Sequence, residues 1–141
     1  RAQVNVYNAV PATPVLVNTF QPFAGVPALR KYKRGVGVAK LPSATPGQAD
    51  RIMVTAGPRG GSRVETYSGT NRVPDASFAA FGGSRAAVWA AAFDDQNIVA
   101  VEGVGGKTPG VRKATSPGGP TSTLTQNPAL APPLRVSVLR R

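Results

Sequence analysis

Three segments of this chain recur, in the same order, further along it. Val4-Asn5-Val6-Tyr7-Asn8 resembles Val64-Glu65-Thr66-Tyr67-Ser68 at an offset of 60. Phe20-Gln21-Pro22-Phe23-Ala24-Gly25 resembles Phe78-Ala79-Ala80-Phe81-Gly82-Gly83 at an offset of 58. Ile52-Met53-Val54, followed by Gly57, Gly60 and Gly61, parallels Ile98-Val99-Ala100, followed by Gly103, Gly105 and Gly106, at an offset of 46. The drop falls between Phe93 and Ile98, where the longer loop Leu41 to Ala49 of the first copy has no counterpart. A repeat of this kind is one supersecondary unit that buries its apolar face by stacking on its neighbours. The unit reads as strand, loop, apolar strand, Gly-rich turn, alternating strand ending in Tyr, turn, and a Phe-x-x-Phe strand. Four strands per unit is the content of one propeller blade.

The local pattern agrees with the repeat. Val4 to Tyr7 and Val15 to Phe20 flank the turn material Pro11-Ala12-Thr13-Pro14 and predict a hairpin. Val36 to Ala39, Arg63 to Tyr67, Ser77 to Phe81, Ile98 to Val101 and Val111 to Ala114 predict further strands. Ile52-Met53-Val54-Thr55-Ala56 is a nearly continuous apolar run suited to a strand buried on both faces. Ala86 to Phe93 is rich in alanine and favours a helix on propensity alone. Gly82-Gly83 before it, Asp94-Asp95 after it and its place in the repeat argue for a strand. Ser116 to Pro133 reads as a linker or extended arm. Leu134 to Leu139 alternates again as a terminal strand. The expected core is Val6, Phe20, Phe23, Ile52, Val54, Val64, Tyr67, Phe78, Phe81, Val88 and Ile98.

The run Asp50-Arg51-Ile52-Met53-Val54-Thr55-Ala56-Gly57-Pro58-Arg59-Gly60-Gly61-Ser62-Arg63-Val64-Glu65-Thr66-Tyr67-Ser68-Gly69 resembles the FG-GAP/VCBS-type repeat of integrin-α-like β-propellers, common in large secreted bacterial proteins. Phe78 to Phe81 matches that family's aromatic strand. The likeness spans roughly residues 4 to 118 and is good over Asp50 to Gly83. It implies an all-β fold of two four-stranded propeller-like blades, with an N-terminal hairpin and a C-terminal extended strand. It also implies a calcium loop of the D-x-D-x-D-G type, but here that loop is Pro42 to Asp50 and keeps only Gly47 and Asp50. Calcium takes six to eight oxygens, mostly from carboxylates. No structural calcium and no cofactor are therefore expected.

Catalysis has little to work with. The chain holds no Cys and no His, which removes the common nucleophile, general base and metal ligand. Asp94 and Asp95 are adjacent, so on a strand they point to opposite faces; a turn-capping role fits them better. Glu65 and Glu102 could face each other across blades, but nothing in the sequence places them. Gly57 to Ser62 superficially resembles a phosphate loop but lacks the Lys-Ser/Thr ending and a following helix. Trp89 and Tyr67 read as packing residues. The chain is not expected to be an enzyme.

Lys and Arg number 17 against 6 Asp and Glu, a formal charge of +11. The excess reflects missing acids more than abundant bases. The one dense cluster is Arg30, Lys31, Lys33 and Arg34, with Lys40 nearby, and it is the candidate contact for an anionic partner. No stretch approaches 18 apolar residues, so no membrane-spanning helix is expected. No signal peptide is visible, and the opening at Arg1 rather than Met is read as the mark of processing.

The chain divides into an N-terminal hairpin as a partial repeat (1–25), a first repeat (26–83), a shortened second repeat (84–119) and a Pro/Ser/Thr-rich arm with a terminal strand (120–141). Two blades do not close a propeller, and open β edges template association. The hairpin reads as the back half of a blade without its front. The terminal strand, with Leu134, Val136 and Val138 on one face, reads as a donor to another subunit or blade, and Val4 and Val6 are candidate assembly residues with it. The expectation is a non-catalytic homo-oligomeric, polymeric subunit of an extracellular filament, sheath or adhesin, joined by strand addition and in contact with anionic surface polymers. A basic nucleic-acid-binding or virion-associated β protein is the alternative, with Arg30 to Arg34 and Arg140-Arg141 as contacts. A compact monomeric sandwich is a third.

Overall fold

The structure of the chain, a computed structural model, describes residues 1–8, 12–43, 45–68, 71–82, 84–92, 94, 97–103, 111–114 and 121–123. Those residues are all-β, apart from one 3₁₀ turn at Pro27–Leu29. Strands β1 (Val4–Asn8) and β2 (Val15–Phe20) form a hairpin. Strands β3 (Val36–Leu41), β4 (Arg51–Ala56), β5 (Arg63–Tyr67) and β6 (Ala76–Ala79) form a sheet in chain order. Strands β7 (Val88–Ala92), β8 (Ile98–Glu102), β9 (Val111–Ala114) and β10 (Thr121–Thr123) form a second such sheet. Every pairing is antiparallel, and neither sheet closes into a barrel.

The pieces stack as three layers, because β4 and β5 have two apolar faces. Val54, Ala56 and Tyr67 are buried against Val4, Phe20, Phe23, Leu29 and Tyr32 of the hairpin side. Met53 and Val64, one residue out of phase, are buried with Leu41 against Val88, Ile98 and Ala100 of the third layer. Period-two alternation sends successive side chains to opposite faces, so a strand covered on both sides must be apolar throughout. Met53 to Ala56 are all buried, as the continuous run implied. Burial of whole side chains on this pattern contributes about 1.5–3 kcal/mol each relative to exposure.

Registers carry the repeat into three dimensions. Val4 lies opposite Phe20 in the hairpin, and Val64 lies opposite Phe78 in the second layer. The next pair also repeats its hydrogen bond. Thr19 Oγ1 donates to Asn5 Oδ1 at 2.8 Å, and Ser77 Oγ donates to Glu65 Oε1 at 3.0 Å. The hairpin is thus the counterpart of β5–β6. The shortening of the second copy sits where expected: β3 and β4 are joined by residues 42–50, β7 and β8 by residues 93–97.

Phe20, Phe23, Val54, Val64, Tyr67, Phe81, Val88 and Ile98 are buried as expected. Val6, Ile52 and Phe78 are only half-buried. The alanine-rich stretch is the strand β7, paired with β8 from Val88–Glu102 to Ala92–Ile98. Tertiary pairing overrides helix propensity there, because a helix would leave β8 without its neighbour. One expectation needs correction, and one open question is answered. Thr121–Thr123, in the stretch read as linker, is the fourth strand of the third layer and pairs with β9. Glu65 and Glu102 do not face each other. Glu65 points to the hairpin, as its bond with Phe23 shows. Glu102 shares the face of Ile98 and Ala100, on the far side of the middle sheet. The terminal strand Leu134 to Leu139 lies outside the described residues.

The glycines of the Gly57–Ser62 turn serve different needs. Arg59, Gly61 and Ser62 take the left-handed φ values of 65°, 68° and 49°. Gly57 is needed for space: a Cβ there would stand 2.4 Å from the Arg34 carbonyl oxygen.

Candidate functional site

The middle layer has four strands and the hairpin covering it has two. Strand β5 has β6 on one edge and β4 on the other. Its counterpart β1 has β2 on one edge, and no described strand on the other. The space beside that edge is an open groove of about 390 Å³. Its walls include Val4, Val6 and Tyr7 of β1, and its floor includes Val38, Lys40 and Ile52 of the middle sheet.

The floor is apolar where a third strand of the first layer would cover it. Val38 is 57 % exposed although it sits mid-strand opposite the fully buried Val54. Tyr7 is half exposed, as are Val15, Leu16 and Val17 near the hairpin tip. Lys40 Nζ lies 2.6 Å from Asp50 Oδ2, both side chains being open to water. Such an exposed pair contributes about 0–1 kcal/mol.

The candidate assembly residues Val4 and Val6 lie on β1, whose second edge has no partner among the described residues. Val4 is buried and Val6 half-buried. Leu134, Val136 and Val138 lie outside the described residues. Val38 and Ile52 were not singled out as site residues from the sequence. Both lie in the part of the middle sheet that no described strand of the first layer covers.

No family model, no curated protein and no solved structure matches this chain. The reading of the site therefore rests on its own geometry.

The basic cluster is split. Arg30, Lys31, Lys33 and Arg34 are exposed on the segment after the 3₁₀ turn. Tyr32, between them, is buried and anchors the segment: its hydroxyl donates to the Arg34 carbonyl at 2.9 Å. Burial raises the Tyr32 pKa, and nearby Arg34 opposes the shift. Lys40 belongs instead to the groove, through Asp50.

Among the described residues Glu65 is the most buried acid, and its contacts are structural. Its carboxylate accepts the Phe23 N–H at 2.7 Å, the Ser77 hydroxyl at 3.0 Å and the Tyr67 hydroxyl. Burial, then the Glu65 carboxylate, pushes the Tyr67 hydroxyl well above its usual range. In the glycine turn, Arg59 N–H donates to Arg85 O and Gly60 N–H to Gly57 O, so these two donors are committed within the chain. Asp94 caps its turn by accepting the Asn97 N–H at 2.7 Å, as expected. Among the described residues, no three His, Cys, Asp or Glu gather as a metal site, and no helix is long and apolar enough to cross a membrane.

Proposed function

We propose that this chain is a non-catalytic structural subunit of an extracellular or cell-surface assembly, whether filament, sheath or adhesin, whose copies join by β-strand addition. One observation carries the reading: among the described residues β1 has a strand partner on one edge only, and the apolar floor beside its other edge is exposed at Val38. Strand addition satisfies a row of backbone donors and acceptors and covers apolar surface in one event. Unsatisfied edges of this kind otherwise promote uncontrolled association. The stacked four-stranded layers and the repeated Val4–Phe20 and Val64–Phe78 registers support a propeller-like unit. The placement at the cell surface is supported by the resemblance to repeats of secreted proteins.

A second reading has its own observation. Four cations within residues 30–34 stand exposed on one anchored segment, which suits an anionic polymer, nucleic acid included. Salt separates the two. Negative-stain imaging and sedimentation of the purified chain should show ordered polymers that survive a rise from about 50 to about 200 mM salt. Phosphate-dominated binding falls by orders of magnitude over that range. A chain that stays monomeric and binds nucleic acid with a steep salt slope overturns the assembly reading.

A further inference from the structure

We propose that residues Leu134–Leu139 of a second copy add to the edge of β1 that has no partner among the described residues, in the groove floored by Val38 and Ile52, taking the place that β4 takes beside β5. This rests on the assembly reading above and names its acceptor.

The position is set by the equivalence of the two layers. In the middle layer Met53 lies beside Thr66 and Thr55 beside Val64. Both point to the third layer, and Met53 is fully buried there. The hairpin counterparts of Val64 and Thr66 are Val4 and Val6. A strand added to β1 therefore places alternate side chains beside Val4 and Val6, over Val38 and Ile52. Those side chains must be apolar, and those between them face outward.

Leu134-Arg135-Val136-Ser137-Val138-Leu139 meets that requirement. At period two, Leu134, Val136 and Val138 share one face, and Arg135, Ser137 and Leu139 share the other, which is mostly polar. The segment has six residues, as β4 does.

A second copy is the favoured source. The last described strand, β10, is the outer edge of the third layer, and the groove is in the first. Ten residues separate Thr123 from Leu134, a reach of at most about 33–36 Å. Within one copy, that path must round both cores and the middle sheet between them. Donation to a neighbour meets no such barrier and propagates head to tail.

The chain has no cysteine, so introduced thiols report the contact cleanly. Full-length Val6→Cys and full-length Val136→Cys, mixed and mildly oxidised, should give a disulfide-linked dimer. A synthetic peptide of residues 130–141 should bind full-length Val136→Asp chain, which cannot donate well. Adding Val38→Asp, a change on an exposed side chain, should abolish that binding while leaving the circular dichroism spectrum unchanged. Polymers that persist in Val38→Asp chain, with no cross-link and no peptide binding, overturn this site and leave the assembly reading standing. A monomer whose Val6→Cys/Val136→Cys double variant cross-links within one chain overturns the second copy as donor and the assembly reading with it.

Discussion

The backbone N–H of Phe23 donates to the buried carboxylate of Glu65 at 2.7 Å, tying the segment after the hairpin to the middle sheet. Phe23 is held at φ 63°, a left-handed conformation that is unfavourable for a bulky residue. The same carboxylate accepts the Tyr67 and Ser77 hydroxyls. Glu65→Ala leaves three donors without it and should cost about 3 kcal/mol or more. Glu65→Gln keeps the shape and two acceptor positions and should cost less than about half as much. Urea unfolding of both variants measures the difference.

Tyr67 gives the fold an alkaline limit. Its hydroxyl is held protonated above the ordinary value of 10.0 by burial and by Glu65. A raised pKa in the folded state means that the unfolded chain releases this proton first. The stabilisation is complete below pH 10 and is lost as pH rises beyond it. The thermal midpoint should fall steadily above pH 10, and Tyr67→Phe should flatten that slope. An equal slope in both proteins would show that other groups set the limit.

Gly103 makes room for Trp89, and Gly37 makes room for Thr55. A Cβ at Gly103 would stand 2.7 Å from the indole Nε1. A Cβ at Gly37 would stand 2.5 Å from Thr55 Oγ1 and 3.6 Å from the indole ring. Trp89 is partly exposed and can swing away, so Gly103→Ala should red-shift its fluorescence at small cost. Thr55 is buried within β4 and cannot retreat as easily. Gly37→Ala should cost about 1–3 kcal/mol by urea unfolding.

Thr66 Oγ1 is buried without a hydrogen-bond partner among the described residues. A buried hydroxyl left unpaired costs about 1–3 kcal/mol of desolvation. Thr66→Val keeps the branched shape favoured in strands and removes that cost. The melting temperature of the variant should stay level or rise; a clear fall would reveal a partner for the hydroxyl.

EDTA should leave the melting temperature unchanged. Asp50 is the one carboxylate of residues 42–50. Its oxygens already serve the Ser43 N–H at 3.1 Å and Lys40 at 2.6 Å. A shift of more than a few degrees would show a bound cation.

Periodicity and punctuation made the strands legible in sequence, because alternation along a strand and glycine-rich turns are local properties. The repeat went further. Matching Val4 to Val64 and Phe20 to Phe78 anticipated a register that the two hairpins share. Even β7 was legible, although only its place in the repeat outweighed the helical preference of its alanines. Thr121–Thr123 was not: three small polar residues carry no periodicity, and pairing to β9 alone makes them a strand.

What the tertiary structure decided was which faces meet. Glu65 and Glu102 look interchangeable as acids in two repeats, yet each points from its own layer toward the layer before it, which puts them on opposite sides of the middle sheet. Val38 and Val54 are both strand valines and lie opposite one another, but Val54 is buried and Val38 is open. No local pattern distinguishes them. The difference comes from the hairpin above, which is two strands wide and covers only part of a four-stranded sheet, so burial at each site depends on what a neighbouring layer brings to it.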